Sequence, residues 1–267
     1  MTTDSSHFDL VRDRFTKTAE SFADFVLTHR MAEAGRLADL AAAELPNLAD
    51  AITVDVACGP GTFALAFAPR VRRAVGVDLT PAMLERARRA AADARLANLE
   101  FTLGDAYTLP FGDGSVRIVS CGYALHHMLE PARAIGEMAR ITAPGGRVAI
   151  VDMILPAGAS SAAKDAIEKA RDPSHTTTLS VAQFKEIFRK LGLRVLHEET
   201  FEMRREFDVW MRGAGRAQGD PSYAATRRLM QESMRGDAAG FHPAFSEKSG
   251  ALEFSVTSAM LIAEKVA

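Results

Sequence analysis

Two cysteines, one tryptophan and three tyrosines are all that 267 residues hold of these types. Cys58 and Cys121 cannot build a disulfide framework, and alone they cannot hold a structural zinc. No other metal-ligand spacing is evident, so no metal is expected. Charge of one sign is also missing: 32 Lys and Arg stand against 34 Asp and Glu, a net charge of -2. Proteins that hold nucleic acid by neutralising phosphates carry a basic excess, so nucleic acid is not an expected partner. No apolar run approaches the roughly 18 residues of a membrane span. The first residues, MTTDSSHFDL, lack the basic head and apolar core of a secretory signal. The expectation is a cytoplasmic protein without a membrane span. What is present is an ordinary globular balance, 48% hydrophobic and 25% charged, on a chain long enough to bury a substantial core.

The hydrophobic pattern changes period along the chain. Residues 8–45 repeat apolar side chains at helical spacing, and Pro46 ends them. Short β-branched runs follow at 52–57, 74–78, 99–103, 116–121 and 147–154, with helical spacing between them. Thr80 and Pro81 read as N-cap and first residue of one helix; Pro131 opens another, which Pro144-Gly145-Gly146 ends. This alternation predicts βαβ units, a mostly parallel sheet and helices on both faces. Residues 156–179 read as a polar loop. Ser180 and Gln183 form a capping box for a helix closed by Gly192. Runs at 193–201 and 252–265 read as late strands, with helical stretches around 207–211 and 223–234. The paired arginines (Arg72–Arg73, Arg88–Arg89, Arg204–Arg205, Arg227–Arg228) read as solvated faces.

The first strand ends in VDVACGPGTFA (54–64), a loose G-x-G-x-x-A loop. Glycines let the backbone turn tightly and approach a ligand, and the helix that follows offers free N–H groups. Two acids narrow the ligand. Asp78 ends the second strand, where a carboxylate bonds ribose hydroxyls. Asp55 precedes the glycines, where it would repel a pyrophosphate and favour an ammonium or sulfonium; the alternative is a carboxylate that caps the next helix. Read together, the two acids point to S-adenosylmethionine.

The stretches DVACGPGT (55–62), GVDLTPAMLERAR (76–88), GDAYTLPFGDGS (104–115), ALHHM (124–128) and PGGRVAIVD (144–152) resemble, in order and spacing, the class I S-adenosylmethionine-dependent methyltransferases. The branch they are most similar to includes the ubiquinone/menaquinone-biosynthesis methyltransferases. The resemblance implies a Rossmann-like seven-stranded α/β sheet, mostly parallel with an antiparallel last strand. It implies one unit over 1–267, with a helical cap at 1–48 and a cofactor-binding core at 50–155. The C-terminal part, 156–267, then carries an acceptor-side insertion at 204–250. It also implies that Asp55, Ala57, Gly59 and Gly61 hold the methionine end of the cofactor. Asp78 would bind the ribose between Leu79 and Met83. Gly104, Asp105 and Ala106 would face the adenine, and Cys121 and Gly122 would floor the site near the sulfonium. The product would be S-adenosylhomocysteine.

The chain departs from the family's pattern in three places. Ala57 replaces the first glycine of D-x-G-x-G-x-G, tolerable if its φ is negative. Val116-Arg117 stands where many relatives have Phe-Asp. Phe22 stands where many carry Tyr, which removes a hydroxyl.

Methyl transfer from a sulfonium needs positioning and a water-poor site. A base is needed only if the acceptor must lose a proton. His126 and His127 follow the fourth strand and are the candidate catalytic residues; neighbours on a turn are expected to point different ways. Phe22, His29, His175 and Trp210 are candidate acceptor-side residues. Phe8, Phe15, Phe22, Phe25 and Trp210 fall in segments that cover the site in the family, which suggests a small apolar or aromatic acceptor. The expected partner is a small molecule, and the chain is expected to be a monomer or homodimer. The competing readings are a nicotinamide-dependent oxidoreductase on the same glycine loop, and a non-methylating cofactor-binding protein of this fold.

Overall fold

A computed structural model describes residues 3–266, with side chains from residue 6. Three helices come first: α1 (Thr3–Lys17), α2 (Ala19–His29) and α3 (Met31–Ala42). Strands and helices then alternate, except that β3 leads straight to β4: β1 (Ile52–Val56), α4 (Thr62–Phe67), β2 (Arg73–Asp78), α5 (Pro81–Asp93), β3 (Leu99–Leu103), β4 (Val116–Gly122), α6 (Pro131–Ile141) and β5 (Thr142–Met153). The rest is α7 (Ser161–Arg171), α8 (Val181–Lys190), β6 (Leu193–Glu206), α9 (Phe207–Gly213), α10 (Pro221–Glu232), β7 (Ala244–Phe245) and β8 (Leu252–Lys265).

The sheet order is β3-β2-β1-β4-β5-β8-β6, with two-residue β7 added to β8. The pairings among β1 to β5 are parallel, and β8 runs antiparallel to both β5 and β6. The sheet is therefore the expected Rossmann-like one, with a short eighth strand. β1, β2 and β4 are near-continuous apolar runs because helices cover both their faces. One face packs on Ile135 and Met138 of α6 and on Phe184 and Phe188 of α8. The other packs on Leu37 of α3 and on Phe63 and Phe67 of α4. The chain leaves β1 toward β2 and β3, then returns to β4 on the opposite side. Such reversals open a crevice at the carboxyl ends of the strands.

The structure differs from the sequence reading in four places. The supposed polar loop at 156–179 contains α7, capped by Ser160 Oγ, which accepts from Ala163 N. Its buried face carries Lys164, Asp165 and Glu168, so the apolar period that marks a helix is hidden. Pro144-Gly145-Gly146 does not stop the chain before β5. The strand already pairs at Thr142 and slips register before Arg147, a bulge that absorbs the proline. Thr80 begins α5 without a side-chain cap; the Asp78 carboxylate accepts from Thr80 N at 2.8 Å instead. β6 runs on to Glu206, five residues beyond its expected end.

Candidate active site

A single cavity at the carboxyl ends of the strands gathers most of the expected residues. Its floor is the β1–α4 loop, the end of β2, the turn after β3 and the residues after β4. Its lid is α1, α2 and α9, and all five lid aromatics, Phe8, Phe15, Phe22, Phe25 and Trp210, border it.

At the floor, Asp78 borders the cavity while its two carboxylate oxygens accept from Gly59 N (2.8 Å) and Thr80 N (2.8 Å). An ionised carboxylate has about four acceptor positions, so acceptor capacity remains. Leu79, Met83, Gly104, Asp105 and Ala106 stand beside it. Asp105 accepts from Tyr107 N at 2.9 Å, which holds the turn. Gly104 and Gly122 cannot carry a Cβ: one would sit 2.7 Å from Val77 Cγ1, the other 2.0 Å from the Phe63 ring. Their bare backbone is what faces the cavity.

Ala57 and Gly59 also border the cavity, and both are left-handed, with φ of 53° each. For Ala57 the condition of a negative φ is not met. The tight turn dictates the conformation, and a side chain there costs about 1–2 kcal/mol. Ala57→Gly is therefore expected to raise stability by about 1 kcal/mol after the glycine's own entropy is deducted. Urea unfolding midpoints of the two proteins check this.

Asp55, Gly61 and Cys121 do not reach the cavity wall. Asp55 lies beneath the loop, where it accepts from Ala64 N (3.1 Å) in the first turn of α4 and from Ser120 Oγ (2.7 Å). This is the helix-capping geometry, one layer below the position expected of a ligand contact. Gly61 turns with φ 89° toward Phe101 and Ala87. Cys121 points into the apolar core, where burial pushes its thiol up.

Burial pushes the Asp55 carboxyl up from 3.8 to about 7. The unfolded chain then ionises at lower pH than the folded one. Stability falls as pH rises through this window, and the cost is fully present above it. Asp55→Asn keeps the shape without the ionisation, so its stability should be flatter from about pH 4 to pH 7. Denaturation at the two ends of that range, wild type against variant, provides the check.

His126 and His127 both border the cavity. They lie in a short 3-10 turn with ring centroids 4.2 Å apart, tilted by 45°. The expected divergence of the pair is therefore not found. His126 Nδ1 lies 2.6 Å from Asp152 Oδ1, and Asp152 also accepts from Leu125 N at 2.9 Å, so one carboxylate fixes both turn and ring. Burial lowers the His126 imidazole, but Asp152, helped by Glu168 and Asp172, outweighs it and the net shift is upward. Burial and the neighbouring His126 push His127 far below its usual range. His127 packs edge-on against Phe15, with centroids 5.2 Å apart.

Of the other acceptor-side candidates, Phe22 and Trp210 face the cavity. His29 does not: it is exposed, donates to the Phe25 carbonyl at 2.8 Å and stacks outside that ring. His175 is buried behind His126 and bonds Asp165 at 2.9 Å.

The family model described as a methyltransferase domain matches residues 54–150. The uncharacterized methyltransferase YcgJ of Bacillus subtilis is 30% identical over 202 residues, 75% of this chain and 78% of that one. The chain belongs to the class I S-adenosylmethionine-dependent methyltransferases. The crystal structure of YcgJ agrees in fold, with a TM-score of 0.79 at 24% identity over 88% of this chain and 99% of that one. A demethylmenaquinone methyltransferase of Thermus thermophilus is 36% identical over 45% of this chain and 54% of its own length.

This methyltransferase also places at its cavity residues that the sequence reading gave no role. Tyr123 and Thr62 border it; Tyr123 lies under the Arg30 guanidinium at 3.4 Å, and the buried Thr62 hydroxyl has no hydrogen-bond partner among the described residues. Arg14 enters from α1 and pairs with Asp172 at 3.1 Å, both buried. Asp152 closes the stretch PGGRVAIVD, and its being the one carboxylate in the apolar run of β5 is the signal that could have marked it. Among the described residues no cluster suits a metal ion, and no helix is long and apolar enough to cross a membrane.

Proposed function

We propose that this methyltransferase binds S-adenosylmethionine on the strand-end floor and methylates a small molecule with a largely apolar body held beneath the aromatic lid. One observation carries the reading: a single cavity joins Asp78 and the bare backbone of Gly104 and Gly122 to five lid aromatics. The residues present fit the cofactor. Asp78 has acceptor capacity for ribose hydroxyls, with Leu79 and Met83 flanking. Gly104, Asp105 and Ala106 suit the adenine. Ala57, Gly59 and Gly122 suit the methionine arm, where the Thr62 hydroxyl, without a hydrogen-bond partner among the described residues, suits a polar atom. Asp55, Gly61 and Cys121 support that wall from behind.

The cofactor supplies a methyl group already activated for displacement. The chain's part is to orient the acceptor, exclude water and, where needed, take a proton. His126 is the base: Asp152 holds Nδ1, which leaves Nε2 to accept. His127 packs the lid and borders the acceptor without a comparable carboxylate on its ring.

Because Asp152 raises His126, the neutral base is available only above that raised value. Asp152→Asn should move the His126 titration to lower pH, followed by NMR of the ring protons. An unchanged titration would separate Asp152 from the base. The substrate reading is tested by incubating the enzyme and methyl-labelled cofactor with a cell extract. Label should enter the small-molecule fraction extractable into organic solvent. Label confined to precipitated protein or nucleic acid would overturn it.

A further inference from the structure

The lid half of the cavity is bordered by four guanidiniums, and they are not equally matched. Arg14 has Asp172 at 3.1 Å. Arg30 lies 3.4 Å from Glu33 and 3.4 Å above the Tyr123 ring. Arg171 has Glu168 at 3.8 Å and donates to the Trp210 carbonyl at 3.3 Å. Arg205 has no carboxylate within ion-pair distance among the described residues. Its contacts are Met203 Sδ at 3.2 Å and the Phe25 ring at 5.9 Å.

A half-buried guanidinium that makes no direct ion pair is costly to the folded protein. Burial first, and then the charge of Arg30, act against the Arg205 cation, while Glu33, the carboxylate 3.4 Å from Arg30, acts for it. Two guanidiniums that share one carboxylate leave a positive charge in excess at the cavity wall, which a bound oxyanion would offset. The guanidinium fork matches a carboxylate or phosphate through paired N–H donors.

The anion is not expected to be the cofactor's own carboxylate. Arg205 lies on β6, five places along the sheet from β2, which carries Asp78. At strand spacing that is about 24 Å, beyond the short amino-acid arm of a nucleoside whose ribose is on Asp78. Arg205 instead lies beside Phe25, on the acceptor side.

We propose that Arg205, with Arg30, is a seat for an oxyanion on the methyl acceptor, a carboxylate or phosphate head whose apolar body lies among Phe15, Phe22, Phe25 and Trp210. The proposal rests on the methyltransferase reading of the cavity. It sharpens the acceptor from apolar to amphiphilic: one anionic end, one apolar end.

Trp210 is the only tryptophan and borders the cavity, so its fluorescence reports occupancy. The test uses full-length protein saturated with S-adenosylhomocysteine and three probes of equal chain length: decanoate, decyl phosphate and decanol. At least one anion should bind about ten-fold more tightly than decanol, and whichever anion binds more tightly identifies the head. Arg205→Met should abolish the preference, and Arg205→Lys should keep only part of it, since an ammonium lacks the fork. Equal affinity for all three probes in the wild type would overturn the proposal without any variant. So would an Arg205→Met protein that loses cofactor-product affinity while it keeps its preference for anions, because the seat would then serve the cofactor. Binding of S-adenosylhomocysteine itself is measured first, so a failure of the cofactor reading is seen separately from a failure of the seat.

Discussion

Replacing Asp78 with alanine is expected to weaken S-adenosylhomocysteine binding by about 1–3 kcal/mol, roughly a 5- to 150-fold rise in Kd. Two losses add. The ribose hydroxyls lose an ionised acceptor, and Gly59 N and Thr80 N lose the carboxylate that holds them at 2.8 Å each. The second loss loosens the turn that shapes the floor. Asp78→Asn separates the two: its amide oxygen can accept from one backbone N–H, and only the charge and one acceptor go. Its affinity should lie between those of wild type and alanine variant. Calorimetric titration of the three proteins reads both effects, and an Asp78→Ala protein with unchanged affinity would remove Asp78 from the site.

Gly122→Ala should destabilise the fold by about 2–3 kcal/mol, the cost of forcing a methyl into a packed site. The added Cβ would lie 2.0 Å from Phe63 Cε2, with two further ring carbons at 2.5 Å. Phe63 cannot swing away freely, because it is 5% exposed and packed in the cluster between α3, α4 and the sheet. It also borders the cavity. A displaced ring would therefore enter the space proposed for the methionine arm, and cofactor-product affinity should fall together with the thermal midpoint. A Gly122→Ala protein of wild-type stability and affinity would mean that Phe63 has room which the packing does not show.

The half of the cavity proposed for the cofactor was largely legible in the sequence because its signals are local. Each strand there is a short run rich in apolar residues, and Asp78 and Gly104 fall at or just past strand ends. What is local in sequence was still not enough for backbone angles: Ala57 reads as an ordinary residue, and only the folded turn reveals its positive φ. The same limit applies to Asp55. Its place before the glycines suggested a ligand contact, while its hydrogen bonds make it the brace under α4.

The half proposed for the acceptor was legible only as a list of aromatics. It is assembled from α1, α2, the turn after β4, the end of α7, β6 and α9, segments far apart in the chain. Arg204 and Arg205 show the difficulty. As a pair they read as one solvated face, but successive residues of a strand point to opposite sides. Arg204 bonds Glu253 on the exposed side, while Arg205 reaches the cavity. α7 escaped notice because three of its four buried residues are Lys164, Asp165 and Glu168, with Ile167 the one apolar member; the polar three partner other buried polar groups or, for Lys164, the Phe241 ring at 3.9 Å.

The glycine loop and Asp78 are proposed to recognise an S-adenosyl nucleoside and not a dinucleotide. The most direct measurement is a calorimetric titration of the wild-type protein with S-adenosylhomocysteine and, separately, with NAD. The expected result is saturable, one-to-one binding of S-adenosylhomocysteine that Asp78→Ala weakens, and no saturable binding of NAD over the same concentrations. Saturable binding of NAD, with S-adenosylhomocysteine neither binding nor competing, would contradict it.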